Sequence, residues 1–367
     1  MSMVEGGAVR ILQLAPPWFT VPPVRYGGTE LVMAALTDQL IDDGHQVTML
    51  ASGGSLTRAE LRTVYSSPPS EQLGDGVVEL SHVLAGYRDR DRYELIHDHT
   101  VTGAAVGALL DGPPIVHTIH GAWTPELCRL YESIADRIAL VAISHDHAAH
   151  APAGLPLAGV VHNGIDVGQY PFEAGHTGHL AWIGRAGVDK GADLAVTVAT
   201  RLGLPLRMAM KLNEPTEHRW WNEVMVPLLA GTDTAVVHNA THAQKLAVLG
   251  GAAALLVPIR WDEPFGLTMV EAGACGVPVV AFARGAVTEI VDHSRTGWAV
   301  PPDDVDAMCA AVERVTEIDR GACRAHVVQH FAAARMAQDY ERIYAAVADN
   351  RTIRLPDLDT SPTSPPR

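Results

Sequence analysis

The chain has 367 residues, roughly two and a half times a 150-residue domain, so two domains with separate cores are the starting expectation. Hydrophobic residues make up 47% and charged residues 19%, which excludes an intrinsically disordered chain and predicts a soluble globular protein. With 42 acidic against 27 basic residues the formal charge is −15, which repels duplex phosphates and anionic lipid, so neither a nucleic-acid partner nor stable membrane association is expected.

In chain order, Val9 to Ala15 is a short apolar run, and a Pro/Gly loop from Pro16 to Gly28 follows it. Helical spacing then runs through Leu31, Ala34, Ala35, Leu40 and Ile41, Gly44 stops it, and Gln46 to Leu50 is the next apolar run. Strand, helix, strand in that order is one right-handed βαβ unit of a parallel sheet. Further strands are expected at Tyr93 to His97, Pro114 to Ile119, Ile138 to Ile143 and Gly159 to His162. A second series is expected at His179 to Ile183, Pro205 to Met210, Thr234 to His238, Ala253 to Pro258, Val277 to Phe282 and Gly297 to Val300. The pattern predicts an α/β protein of two Rossmann-like halves, with a hinge in the turn-rich segment from Asn163 to Gly178 and a cleft between them. A last helix is expected from about His330 to Ala346, and the Pro/Ser-rich segment after Arg351 reads as a disordered tail.

Cys128, Cys275, Cys309 and Cys323 are widely spaced without C-x-x-C, which suggests neither a zinc knuckle nor a disulfide framework and fits a reducing cytoplasm. No cationic segment followed by an apolar stretch opens the chain, so no export signal is expected. The longest apolar stretch, Leu246 to Ile259, is 14 residues interrupted by Gly250 and Gly251, too short to cross a bilayer.

Three loops carry the residues suited to chemistry. Pro23 to Glu30 joins the first strand to the first helix, and Gly27 and Gly28 let backbone amides approach an anion at the positive end of that helix; a tight turn capped by Thr29 is the plainer reading. G-x-G-x-x-G is absent, which disfavours a nicotinamide oxidoreductase. In Trp182 to Gly191, Arg185 and Lys190 follow a strand end, where two cations suit a diphosphate or form an ordinary surface pair. In Asp262 to Pro278, Pro264 and Gly266 hold Glu263 in a loop, Leu267 to Ala274 reads as a helix containing Glu271, and Gly276 and Pro278 stop it. The eight-residue separation prevents the two glutamates from sharing a proton and suits gripping different hydroxyls of one extended ligand. The amides of Phe265, Gly266 and Leu267 open that helix and can donate to phosphate or sugar oxygens.

Taken in order, the Gly-Gly loop, the turn Gly44 to Val47, His120-Gly121, Asn163 to Asp166, the Gly-Arg to Lys-Gly segment and the glutamate pair resemble the family 4 retaining glycosyltransferases of GT-B fold, across Val9 to Ala346. The resemblance implies an N-terminal acceptor-binding domain over 1–165 and a C-terminal nucleotide-sugar-binding domain over 166–329. A helix over 330–349 would pack back on the first domain, with the tail over 350–367. It also implies a diphosphate on Arg185 and Lys190, ribose hydroxyls on Glu271, sugar hydroxyls on Glu263 and His120 beside the reacting sugar. Where the family often has Ala-Gly, this chain has Met208 to Asn213, and Lys211 is expected to be a third cation near the diphosphate; His238-Asn239 replaces Leu-Gly in the next strand.

The activity so implied is retaining transfer of a hexose, of glucose or N-acetylglucosamine type, from a UDP-sugar to a hydroxyl of a small soluble acceptor. A non-catalytic sugar-nucleotide-binding module is the alternative. No cofactor and no metal are expected: Asp89-Arg90-Asp91 matches D-x-D, and His97-Asp98-His99 and His145-Asp146-His147 look like ligand sets, but each sits where a structural role suffices.

Overall fold

The computed structural model describes residues 7–25 and 27–349; Tyr26 and the segment 350–367, including the expected disordered tail, lie outside the described residues. The first sheet contains β1 (Arg10–Leu14), β2 (Gln46–Leu50), β3 (Glu60–Arg62), β4 (Leu95–Asp98), β5 (Ile115–Thr118), β6 (Ala139–Ala142) and β7 (Leu157–Val160), in the order β3-β2-β1-β4-β5-β6-β7. The second contains β8 (Leu180–Arg185), β9 (Leu206–Lys211), β10 (Thr234–His238), β11 (Ala254–Val257), β12 (Val279–Phe282) and β13 (Gly297–Val300), in the order β10-β9-β8-β11-β12-β13. All strand pairs are parallel. Together the sheets make the two-domain α/β GT-B architecture.

Parallel strands covered by helices on both faces read as unbroken apolar runs, and β4, β5, β11 and β12 are buried at every residue. That is why they stand out in the sequence. β3 does not: it is a three-residue edge strand with two exposed residues and no apolar run. β7 begins two residues earlier than Gly159, at Leu157, the one residue of that strand that is fully buried.

The chain crosses between the domains twice, and the crossings lie side by side. Ile165 donates its amide to Phe331 O (2.9 Å), and Ala333 donates back to Ile165 O (2.9 Å), a parallel bridge between the outgoing and returning strands. Two helices flank the crossing, Arg320–His330 and Ala333–Ala348; the second is the helix expected from about His330, and it starts three residues later because the backbone at Phe331 to Ala333 pairs with Ile165. The first packs against the Leu267–Ala274 helix of the second domain. The second packs on the Gly28–Asp42 helix of the first and inserts Met336, Ala337, Tyr340 and Tyr344 into its core.

Those two tyrosines also satisfy buried polar groups. Tyr340 OH pairs with Thr118 Oγ1 (2.7 Å), and Tyr344 OH lies 2.7 Å from His97 Nδ1. Replacing Tyr340, 1% exposed, by Ala removes a large buried ring and is expected to lower stability by about 3–5 kcal/mol. Tyr340→Phe loses only the hydrogen bond and is expected to cost about 1 kcal/mol. Urea unfolding of both variants, read at fixed pH, gives the comparison.

Candidate active site in the interdomain cleft

In an open parallel sheet, ligands bind beyond the carboxyl ends of the strands where the strand order reverses. Here the order reverses between β1 and β4 in one domain and between β8 and β11 in the other. The loops leaving β1, β8 and β11 therefore meet, and they enclose a cavity of about 340 Å³. From the first domain come Arg25, Gly27 and Gly28; from the second come Arg185, Lys190 and Lys211, with Glu263, Gly266, Leu267 and Glu271. Residues more than two hundred positions apart thus line one space.

Two helix N-termini open onto it, those of Gly28–Asp42 and Leu267–Ala274, capped by Gly27 and Gly266. Their free amides and aligned dipoles favour an anion between them. Gly27 has φ 152° and leaves no room for a side chain, since a Cβ would lie 2.7 Å from Pro23 Cβ and 2.8 Å from Glu30 Oε2. Burial beneath this turn pushes the Glu30 carboxyl up to about 7.

Four of the cavity cations are each held by a carboxylate. Arg185, the last residue of β8, donates to Asp189 Oδ2 (2.7 Å). Lys190 Nζ donates to Glu263 Oε2 (2.5 Å) and sits 4.4 Å from the Trp261 ring centre, a cation–π contact. Lys245 Nζ donates to Glu271 Oε1, which also accepts from Tyr170 OH (3.0 Å). Lys211, in register with Arg185 on the adjacent strand, is gripped by Glu214 and by Glu217 Oε1 (3.0 Å). Lys211 is 7% exposed, lines the cavity beside Arg185, and has its charge matched by two carboxylates.

Glu263 itself is held by its backbone. Ala286 donates its amide to Glu263 O (2.9 Å), and the approach is so close that a Cβ on Gly285 (φ 56°) would stand 2.3 Å from Glu263 N. Phe265 is not among the cavity-lining residues; its side chain is 2% exposed and packs against His162 and Phe331 (ring centres 6.0 Å from each). His120, at the end of β5, does not line the cavity. Its Nε2 is 2.9 Å from His99 Nδ1, whose Nε2 lies 3.0 Å from Gln13 Oε1. Desolvation lowers the His120 imidazole to about 3, so it is neutral near pH 7.

Lys245, Tyr170 and Asp189 carry no motif and escape a reading of the sequence; only the folded strand order brings Lys245 to Glu271. The His238-Asn239 departure finds its explanation here. Asn239 takes the left-handed φ of 51° that a glycine would supply, and its side chain accepts from Leu212 N (2.9 Å) and donates to Leu212 O (3.1 Å).

The three ligand-like triplets lie apart from the cavity. Asp89 pairs with Arg62 (3.0 Å). His97, Asp98 and His99 are buried in the first domain, where Asp98, raised to about 7 by burial, accepts from Tyr87 OH (2.9 Å) and Thr100. His145 joins His162 and Glu289 at the domain interface, their ligand atoms within 4.8 Å of one another, with the Glu289 carboxylate engaged by two backbone amides and His162.

Two tests follow from this geometry. Lys245→Met would leave the Glu271 carboxylate, 1% exposed, with Tyr170 alone as a side-chain donor and is expected to cost about 3 kcal/mol in urea unfolding. The second concerns pH. Burial lowers His82, His117 and His147 to about 4 and His120 to about 3, and holds His97 and His99 well below the ordinary range. Each such histidine refuses a proton that the unfolded chain accepts, so stability falls as pH drops below about 6.5. Glu30 and Asp98 act oppositely, since their contribution is full below the unfolded carboxyl range and lost as pH rises through about 7. Six histidines outweigh two carboxyls, and the urea midpoint is expected to be lower at about pH 5 than at about pH 7.5.

Comparison with known proteins matches residues 26–169 to the family Glycosyltransferase Family 4 and residues 215–326 to the family Glycosyl transferases group 1. A glycogen synthase of Mycobacterium tuberculosis is 34% identical over 173 residues, which is 45% of this chain and 41% of that enzyme, so the matched part spans less than half of that relative. A D-inositol 3-phosphate glycosyltransferase of Pseudarthrobacter chlorophenolicus is 25% identical over 398 aligned positions, covering 90% of this chain and 92% of that one. Among solved structures, a glycosyltransferase involved in avilamycin A biosynthesis superposes with TM-score 0.73 at 22% identity over 94% of this chain and all of its own. The Anabaena protein HepE in complex with UDP and glucose does so with TM-score 0.70 at 18% identity over 92% of this chain and all of its own.

Proposed function

Since the chain belongs to the family 4-like glycosyltransferases of GT-B fold, we propose that it transfers a hexosyl group, of glucose or N-acetylglucosamine type, from a UDP-sugar to a hydroxyl of a small soluble acceptor, with retained anomeric configuration. The observation that carries the reading is the meeting of Arg185, Lys190 and two helix N-termini around one cavity, with Glu263 beside them. That is the donor set a pyrophosphate and a sugar ring require.

In this reading Arg185 and Lys190 hold the diphosphate, together with the amides of Gly27 and Gly28 and the amides that open the Leu267–Ala274 helix. Glu263 accepts from sugar hydroxyls and Glu271 from ribose hydroxyls. Both glutamates already hold a lysine, which fixes their orientation before the ligand arrives. A double displacement would need a carboxylate on the acceptor face of the sugar. The first-domain residues lining the cavity among those described are Pro22, Pro23, Arg25, Gly27, Gly28 and Leu31, none of them a carboxylate. This favours attack from the departing phosphate's own side. The acceptor oxygen bonds to the anomeric carbon as its bond to the phosphate oxygen breaks, and the hydroxyl proton passes to that phosphate, whose charge the cations stabilise. His120, which stands outside the cavity lining, is the neutral imidazole on the acceptor side of the sugar.

The UDP assignment draws support from HepE, solved with UDP and glucose. The formal charge of −15 favours a small soluble acceptor over an anionic membrane surface. No described helix is long and apolar enough to cross a membrane and the four cysteines are free, which supports a cytoplasmic setting. No cofactor or metal is needed in this scheme.

The deciding experiment is a panel of UDP-, GDP- and ADP-sugars followed by mass spectrometry for transfer and for slow hydrolysis without acceptor. Nucleotide binding with neither reaction would make the chain a binding module; no binding at all would overturn the reading. Arg185→Ala is expected to weaken nucleoside diphosphate binding about 10- to 100-fold by calorimetry, the range of one charge-assisted hydrogen bond. Glu263→Gln is expected to lower kcat about 100-fold while the fold, checked by circular dichroism, is unchanged.

A further inference from the structure

At the domain interface, outside the cavity lining, a single carboxylate ties the two domains together. Glu289 belongs to the short Val287–Ile290 helix of the second domain. Its Oε2 accepts the amide of His145 (2.8 Å) and its Oε1 accepts that of Asp146 (2.6 Å), the first two residues of the His145–Ala149 helix of the first domain. His162, just after β7 in the first domain, places its Nε2 2.7 Å from the same Oε2. Three hydrogen bonds to one charged group across an interface are strong and directional, because a carboxylate accepting from amides is charge-assisted. Both side chains are largely shielded from water, at 23% and 17% exposure, so solvent competes weakly for them. Burial disfavours the Glu289 carboxylate, yet the His162 bond and the two amides overcome it and hold its pKa below the ordinary value.

Two short paths connect Glu289 to Glu263. The first is covalent and hydrogen-bonded: Ala286, three residues before Glu289, donates its amide to Glu263 O (2.9 Å). The second runs through rings: His162 packs on Phe265 (6.0 Å between centres), two residues after Glu263, and on Phe331 (5.8 Å) at the returning domain crossing. When Glu289 engages the first domain, it does so through the same segment that supports the backbone of Glu263.

We infer that Glu289 is a positioning residue that latches the two domains in the arrangement that encloses the cavity and, through Ala286 and the His162–Phe265 contact, sets Glu263 against the sugar. This rests on the glycosyl-transfer reading above. Both charged diphosphate groups, Arg185 and Lys190, belong to the second domain and the first adds only the amides of Gly27 and Gly28, so donor binding depends on the latch far less than turnover and exclusion of water do.

The test uses the full chain and three variants, Glu289→Ala, Glu289→Gln and Glu289→Asp, each assayed well below its unfolding temperature. Glu289→Ala is expected to leave UDP binding within about twofold, to lower kcat about 10- to 100-fold and to raise the ratio of donor hydrolysis to transfer, the span of one or two lost charge-assisted bonds. Glu289→Gln keeps one carbonyl acceptor and is expected to fall between Ala and wild type. Amide hydrogen exchange at His145 and Asp146 is the independent readout: both are expected to lose protection in Glu289→Ala. Unchanged kcat and unchanged hydrolysis ratio in Glu289→Ala would overturn the inference, as would unchanged protection of those amides. A loss of thermal stability without a kinetic change would equally overturn it, since that is what a merely structural contact gives. Failure of the function reading looks different: wild type itself would bind no nucleoside diphosphate or transfer no sugar, and a positioning role for Glu289 toward a sugar would fall with it.

Discussion

Gathering several positive side chains around one partly buried space is unfavourable unless each is matched, and here the matching decides the geometry of the cleft. Arg185 leans on Asp189, Lys190 on Glu263, Lys245 on Glu271, and Lys211 on Glu214 and Glu217. Among the described residues Arg25 has no carboxylate partner, so the lining keeps an excess positive charge on its first-domain edge. Ion pairs of this kind add little to stability by themselves but hold long side chains in one place. The glutamates gain a second use from the arrangement: the oxygen that orients a lysine stands beside one free to accept from a hydroxyl. Pre-set geometry of this kind lowers the ordering cost when a ligand enters.

The cleft exists because two sheets reverse their strand order at facing places and because the chain passes between them twice at adjacent points. A pair of hydrogen-bonded strands at Ile165 and Ala332 is a narrow connection, and narrow connections between domains permit rotation. Such a hinge leaves the closed position to be defined elsewhere. Glu289, with its bonds to His145, Asp146 and His162, supplies a defined stop, and the Ala333–Ala348 helix fixes where the returning chain must end.

The first domain also carries an unusual polar interior. His97, His99, His117 and His120 lie among Tyr131, Tyr340, Tyr344, Thr118 and Gln13, linked by hydrogen bonds of 2.7 to 3.1 Å. Burial keeps the imidazoles neutral, which lets them act as hydrogen-bonding spacers without a buried charge. The bonding is incomplete: among the described residues Gln13 Nε2 is buried without a partner, a tension that a well-packed shell tolerates in a few places. His120 is the outermost of these four, so its orientation is set from inside the core through His99.

The sequence by itself determined the two parallel sheets and the loops that carry Arg185, Lys190, Glu263 and Glu271. Doubly covered strands must be apolar throughout, and glycine and proline must stand where strands end, so both leave local marks. The edge strand β3, the start of the C-terminal helix at Ala333 and the start of β7 left no such mark, because edge pairing and a crossing bridge depend on distant backbone. Tertiary structure alone decided which charges meet. Lys245 reached Glu271, Lys211 was captured by Glu214 and Glu217, and His145 and Glu289 met across the interface, since each pairing follows from strand order and domain approach, which act over distances that no run of neighbouring residues records.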